Sequence, residues 1–167
     1  MRLEKLTIKA QEAIEEARKK AEELGHQQIE AEHLLYALVS DKEGIVVAAL
    51  EKLGASPAAI KAELEKEFTK MPKVTGATQV YLGPMLNKAI EIAFSEAERL
   101  KDEYVSLEHL LIGIADLNQG AAARILKGQG VTKDRIYTVL RIYGDRRESR
   151  TNRRRISIKH YRGIPVT

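Results

Sequence analysis

At 167 residues, with 44% hydrophobic and 5% aromatic residues, the chain has enough length for one compact domain and the alanine-, leucine-, glutamate- and lysine-rich make-up of helices. It has no cysteine, which excludes disulfides and thiolate chemistry, and no apolar run approaches the roughly 18 residues needed to cross a bilayer. The net charge of +4 is local: residues 145–167 hold 8 Lys/Arg and 2 acids, so the rest holds 20 basic and 22 acidic residues, a net of −2.

The N-terminal residues are amphipathic and unlike a signal peptide, so a soluble, cytoplasmic protein is expected. Thr7 reads as the N-cap of a first helix running to about Leu24, its hydroxyl oxygen placed to accept from an early unpaired N–H. Ala10, Ala13, Ile14, Ala17, Ala21 and Leu24 recur at helical spacing and define a narrow alanine-rich face that permits close packing. Gly25-His26 ends this helix. A second, about Ala31–Ser40, carries Leu34, Leu35, Leu38 and Val39 and is expected to be the most buried. Asp41–Gly44 turn the chain, and Ile45–Leu53 form a third helix that Gly54 stops. Ser56-Pro57 then opens a fourth, to about Lys70, as N-cap followed by proline in the first helical position.

After an irregular stretch, Met71–Met85, the chain says the same thing again. EAEHLLYALV from Glu30 returns as SLEHLLIGIA from Ser106, an offset of 76 residues that holds without a gap from Gln11/Asn87 to Leu64/Leu140. Gly130 stands where Gly54 stood and Thr132 where Ser56 stood, so start and stop signals persist while surface residues vary. Self-similarity at one spacing predicts an all-α fold of two tandem four-helix repeats packed with pseudo-twofold symmetry. Repeat one covers about residues 1–70, the linker 71–85, repeat two about 86–144 and a basic tail 145–167.

The chemistry-bearing residues are sparse. Glu32-His33 and Glu108-His109 suggest metal ligands or an acid/base pair, but a zinc protease helix needs H-E-x-x-H, with both histidines on one face. Here the order is reversed and no second histidine follows; His33 and His109 could share a metal only by meeting across the axis. The simpler reading has the acid complement the positive end of helix two while the imidazole packs or hydrogen-bonds near the boundary between repeats. No metal, cofactor or catalytic residue is assigned. No G-x-x-x-x-G-K-[ST] phosphate loop occurs in the sequence, so ATP is not an expected ligand. Comparing the copies is more informative: Glu16 and Arg18 become Ile92 and Phe94, giving repeat two surplus apolar area on its first helix. Either those side chains pack on the linker or between repeats, or they line an apolar groove for sequence-tolerant binding.

LTIKAQEAIEEA, EHLLYALV, the MPKVTG stretch and the second EHLL block together resemble the amino-terminal domain of the Clp AAA+ unfoldases, the ClpB disaggregase branch above all. The resemblance covers about residues 1–144. It implies a non-catalytic domain mounted on a homohexameric ATP-driven ring, binding unfolded or aggregated polypeptides, or adaptor proteins in the manner of the ClpC branch. It also implies functional roles for Thr7, Asp102 and Glu108, competing with a cap for Thr7, a solvated loop acid for Asp102 and a helix-terminus charge for Glu108. Groove leucines of the family fall at Ile92, Glu96 and His109, of which only Ile92 is apolar here.

The tail departs from that family, whose linker to the ATPase module is less basic. Another reading frame from Asp145 onward can spell such a linker, so the tail is expected to derive from a frameshift or a misassigned gene end. Taken at face value, Arg146, Arg147, Arg150 and Arg153–Arg155 with Tyr161 form a basic segment, expected to be disordered alone, that could hold a polyanion by counterion release. Nucleic acid is the weaker of these readings, because arginine runs without a folded platform bind any polyanion.

Overall fold

The computed structural model describes residues 2–75 and 79–150, with backbone alone for 143–150. A single 3-10 turn, Leu3–Lys5, precedes α1 (Ile8–Glu23), β1 (Gln28–Ile29), α2 (Ala31–Ser40), α3 (Ile45–Lys52) and α4 (Pro57–Lys70). The second repeat follows as β2 (Tyr81–Leu82), α5 (Pro84–Arg99), α6 (Leu107–Ala115), α7 (Ala121–Gly128) and α8 (Lys133–Arg150).

Local chemistry explains most boundaries. Thr7 Oγ1 accepts from the Ala10 N–H at 3.1 Å, Ser56 Oγ from Ala59 at 3.1 Å, and Thr132 Oγ1 from Arg135 at 3.3 Å, each satisfying an N–H that the first turn leaves unpaired. Gly54 and Gly130 take the left-handed turn (φ 84° and 75°) that ends α3 and α7. Two boundaries differ from expectation. The second repeat's first helix begins at Pro84, capped by Gly83, inside the stretch assigned to the linker; proline's fixed φ suits the first helical position here as it does at Pro57. The last helix runs past Gly144 to Arg150, because one glycine costs only about 1 kcal/mol and the arginines and Glu148 beyond it favour helix. Residues 151–167, most of the basic tail, lie outside the described residues.

The repeats are clasped by an exchange of short strands. β1 pairs in parallel with β2, Ile29 opposite Leu82, and the isolated parallel bridge Leu6–Val105 is the same contact moved by 76 residues in both partners. Matching hydrogen bonds run from Gly83 N–H to Ile29 O (2.9 Å) and from Thr7 N–H to Val105 O (3.0 Å). Each repeat thus offers the segment before its first helix to the segment before the other's second helix. That reciprocity is the pseudo-twofold. Between the clasps lies one continuous core, in which Leu34, Leu35, Leu50, Ile60 and Leu64 of repeat one meet Leu86, Leu110, Leu111, Ile112 and Leu126 of repeat two. α2 and α6 are the most buried helices; α6 has every residue from Glu108 to Ala115 buried.

Candidate functional site

The apolar surplus on α5 is arranged differently from a single patch. Two residues along a helix are about 200° apart, so Ile92 and Phe94 cannot share one face. They flank the buried stripe of Ala89, Ala93 and Ala97 on opposite sides, and both are half-buried against the core. On the Phe94 side a cleft of about 330 Å³ opens between α5 and the N-terminal turn, with Arg2, Lys5, Phe94, Glu98, Asp102 and Val105 among its walls. The Arg2 guanidinium lies 5.3 Å from the centre of the Phe94 ring, a cation–π contact that covers one face. Leu3 and Tyr104 stand exposed near the chain segments that bound this cleft.

On the Ile92 side the copies part ways. In repeat one the equivalent place is a crevice of about 130 Å³ edged by Lys9, Glu12, Glu16 and Asp41. In repeat two those positions become Met85, Lys88, Ile92 and Leu117, and Leu117 is buried. A polar notch has become an apolar border.

Of the residues that the sequence singled out, Thr7 and Asp102 come together with Phe94 around Val105, whose carbonyl receives the Thr7 N–H. Thr7 also caps α1. Asp102 alone of the four is among the walls of that cleft; Thr7, Ile92 and Glu108 are not. Asp102 is a buried acid, not a solvated one: it is 9% exposed and its Oδ2 lies 2.9 Å from His109 Nε2. Glu108 is likewise buried in the first turn of α6. His109, fully buried, and Glu96, 7% exposed, cannot serve as open groove positions. Glu96 instead accepts from Tyr137 Oη and from Arg99 at 2.8 Å, with Lys133 at 3.4 Å. Burial alone would push this carboxyl up, but the Arg99, Tyr137 and Lys133 contacts outweigh it and hold it below the usual range.

The two Glu-His pairs do jobs that sequence reasoning caught only in part. His33 Nδ1 accepts the Glu30 N–H at 2.8 Å, and His109 Nδ1 accepts the Ser106 N–H at 2.9 Å, closing capping boxes at α2 and α6. Both glutamates lie in the first turn of their own helix, and Glu32 also reaches across: its Oε2 accepts the Ala122 N–H at 2.7 Å, capping α7 of the other repeat. The histidines point to partners within their own repeats, His33 to His26 and His109 to Asp102. Among the described residues no three His, Cys, Asp or Glu side chains gather as a metal site would require. The signal for His26 was present in the offset, since His26 and Asp102 occupy equivalent positions.

Fold and site define a duplicated helical domain whose polar machinery caps helices and whose variable part is the apolar border of α5. The Clp repeat (R) N-terminal domain profile matches residues 5–129, and the chain belongs to that family. The chaperone protein ClpB of Rhodopirellula baltica is 36% identical over 139 residues, covering 83% of this chain and 16% of that protein. The ClpC/MecB protein of Bacillus subtilis, a negative regulator of genetic competence, is 34% identical over 128 residues, covering 77% and 16%. The chain therefore spans about a sixth of these relatives and corresponds to their N-terminal domain alone, separate from the ATPase module. The Hsp104 N-terminal domain of Candida albicans superposes with a TM-score of 0.72 at 18% identity, covering 83% of this chain and 91% of that one. The N-terminal domain of the ClpV1 ATPase of E. coli does so at 0.74 and 18%, covering 86% and 88%. Among the described residues no helix is long and apolar enough to cross a membrane.

Proposed function

We propose that this domain is the polypeptide-binding module of a ClpB-like disaggregase, holding unfolded or aggregated protein for an ATP-driven ring. The observation that carries the reading is the widened apolar border of α5, where repeat two keeps Ile92 and Phe94 half-exposed at positions that repeat one gives to Glu16 and Arg18. Burying such side chains fully contributes about 1.5–3 kcal/mol each, so a domain selected for stability alone would cover them. The cleft beside Phe94 adds charged groups of both signs at its rim, which suits weak, sequence-tolerant capture. A solved relative, the ClpV N-domain in complex with a VipB peptide, has this fold at a TM-score of 0.60, which supports peptide binding by the scaffold. Ile92 is assigned to the opposite border, while Thr7 and Asp102 are assigned positioning roles behind the Phe94 side, Thr7 holding the Val105 carbonyl and Asp102 holding His109. Glu108 is assigned a supporting role beneath the surface.

The test is capture of an unfolded polypeptide by the immobilised chain, with melting temperatures measured in parallel. Ile92→Asp and Phe94→Asp should each weaken capture by about tenfold, with melting temperature changed too little to explain it. Unchanged capture, or a loss that tracks lost folding, would refute the reading. Capture of adaptor proteins but not of unfolded chains would move the assignment to the ClpC-type role.

A further inference from the structure

The β1–β2 clasp is fastened at one loop, Gly25–Ile29. The Val74 N–H donates to Gly25 O at 2.8 Å, Tyr81 N–H to Gln27 O at 3.0 Å, and Gly83 N–H to Ile29 O at 2.9 Å. Behind that loop His26 turns inward, 4% exposed, with Nδ1 2.8 Å from Nε2 of the fully buried His33. The His33 ring stacks on Phe68 at 5.0 Å between centroids, and His26 tilts against the same ring at 6.0 Å.

Proton positions follow from the donors. A backbone N–H can only donate, so the Glu30 N–H makes Nδ1 of His33 an acceptor and places that ring's proton on Nε2. This proton points at His26 Nδ1, which leaves His26 protonated on Nε2. Both acceptor nitrogens of the chain are already filled. A further proton must displace either the capping bond from Glu30 or the bond between the rings.

The surroundings do not welcome the added charge. Lys20 of α1 and Lys73 both bear on the pair with positive charge. Tyr36 of α2 packs on Phe68 and gives its hydroxyl to Glu65. The Glu30 carboxylate is engaged with the His33 backbone N–H and faces Gly83, and Glu32 is engaged with α7. Burial first, then His26 and Lys20, pull His33 down to about 4. Burial also lowers His26, with the Phe68 backbone partly offsetting it and Lys73 adding to it.

At the equivalent place repeat two sets a carboxylate, Asp102, against His109, where repeat one sets a second base. We propose that the His26–His33 pair is an acid-released latch: protonation frees β2 from the Gly25–Ile29 loop while the Leu6–Val105 clasp of the other repeat stays shut. Nothing in this depends on what the domain binds.

Amide hydrogen exchange on the full chain tests it, read by NMR as protection factors at about pH 7 and about pH 5. With His33 near 4 when closed and 6.5 when open, protection of Val74, Tyr81 and Gly83 should fall about twentyfold between those conditions. Protection of Thr7 and Val105 should change by less than about threefold. His26→Asp, which copies the arrangement of repeat two, should abolish the difference, and so should His33→Gln, which removes the titrating ring. Both sets of amides falling together, or Val74, Tyr81 and Gly83 holding at the lower pH, would overturn the latch. That comparison is made within the unmutated chain, so it decides the matter even if a variant fails to fold.

Discussion

His109 Nε2 lies 2.9 Å from Asp102 Oδ2 at the position where the first repeat sets His33 Nε2 2.8 Å from His26 Nδ1. One piece of architecture, a histidine that closes a capping box and ties the preceding loop to the second helix, has been given two electrostatic characters. The difference predicts how the whole domain responds to acid. His33 is pulled below its ordinary 6.5 to about 4 when folded, so below 6.5 the unfolded chain takes up a proton that the native state refuses. The contribution of this site is complete above 6.5 and is lost progressively as pH falls toward 4. Its full size is about 3 kcal/mol. Urea midpoints measured across that range should decline in the unmutated chain and decline less in His33→Gln.

The turn after the first helix of each repeat exposes a second asymmetry. Gly25 (φ 74°) and Lys101 (φ 60°) are equivalent, and each is followed by the same helix-ending hydrogen bond, His26 N–H to Ala21 O at 2.9 Å and Asp102 N–H to Ala97 O at 2.8 Å. A lysine in the left-handed region pays about 1–2 kcal/mol, against which glycine's greater freedom when unfolded offsets about half. Lys101→Gly should therefore stabilise the domain by about 0.5–1 kcal/mol, raising the melting temperature by about 1–4 °C. A fall in melting temperature would mean that the Lys101 side chain holds something the backbone does not reveal.

Much of this fold could be read from the letters because the determinants are local. Thr7, Ser56 and Thr132 cap helices through bonds three residues long, and Gly54 and Gly130 stop helices through their own backbone. Family membership was legible for a related reason, since the EHLL blocks and their spacing survive in the primary sequence. What escaped was how side chains are placed once the elements pack. Nothing near Glu32 announces that its carboxylate caps α7, 90 residues downstream. Asp102 looks like an ordinary loop acid until His109 folds over it. Ile92 and Phe94 look like one patch until helical geometry places them on opposite borders.

The Glu32 contact makes its own prediction. The residue that caps α7, Gly120, has no side chain to offer, so the positive end of that helix is served by a carboxylate from repeat one. Hydrogen bonds to a charged partner are worth about 1.5–3 kcal/mol, and Glu32 is only 8% exposed. Glu32→Ala should cost about 2 kcal/mol in chemical denaturation, with the amide of Ala122 losing exchange protection first. Glu32→Gln keeps an acceptor oxygen and should cost about half as much. Equal losses in the two variants would show that the charge, not the bond, is what matters.

The tightest constraint lies where α5 crosses α6. A methyl group placed on Gly113 would collide with the Ala89 carbonyl oxygen and come within 3.1 Å of its carbon and 3.3 Å of the Ala93 nitrogen. These are backbone atoms, which cannot swing aside as a side chain would. Repeat one has Ala37 at the equivalent position, so its helix pair must stand further apart, and glycine is what lets α5 approach α6. Gly113→Ala should cost about 3 kcal/mol, the upper end of ordinary overpacking, because relief requires shifting a helix and its neighbours in the core. The same substitution at Gly128, in the last turn of α7, meets nothing within 4 Å and should instead stabilise by about 0.5 kcal/mol through helix propensity. Measured side by side in urea, the two variants separate steric closeness from backbone entropy. If Gly113→Ala were as benign as Gly128→Ala, α5 and α6 would have to slide freely past each other, and the fixed geometry of the Ile92 and Phe94 borders would go with them.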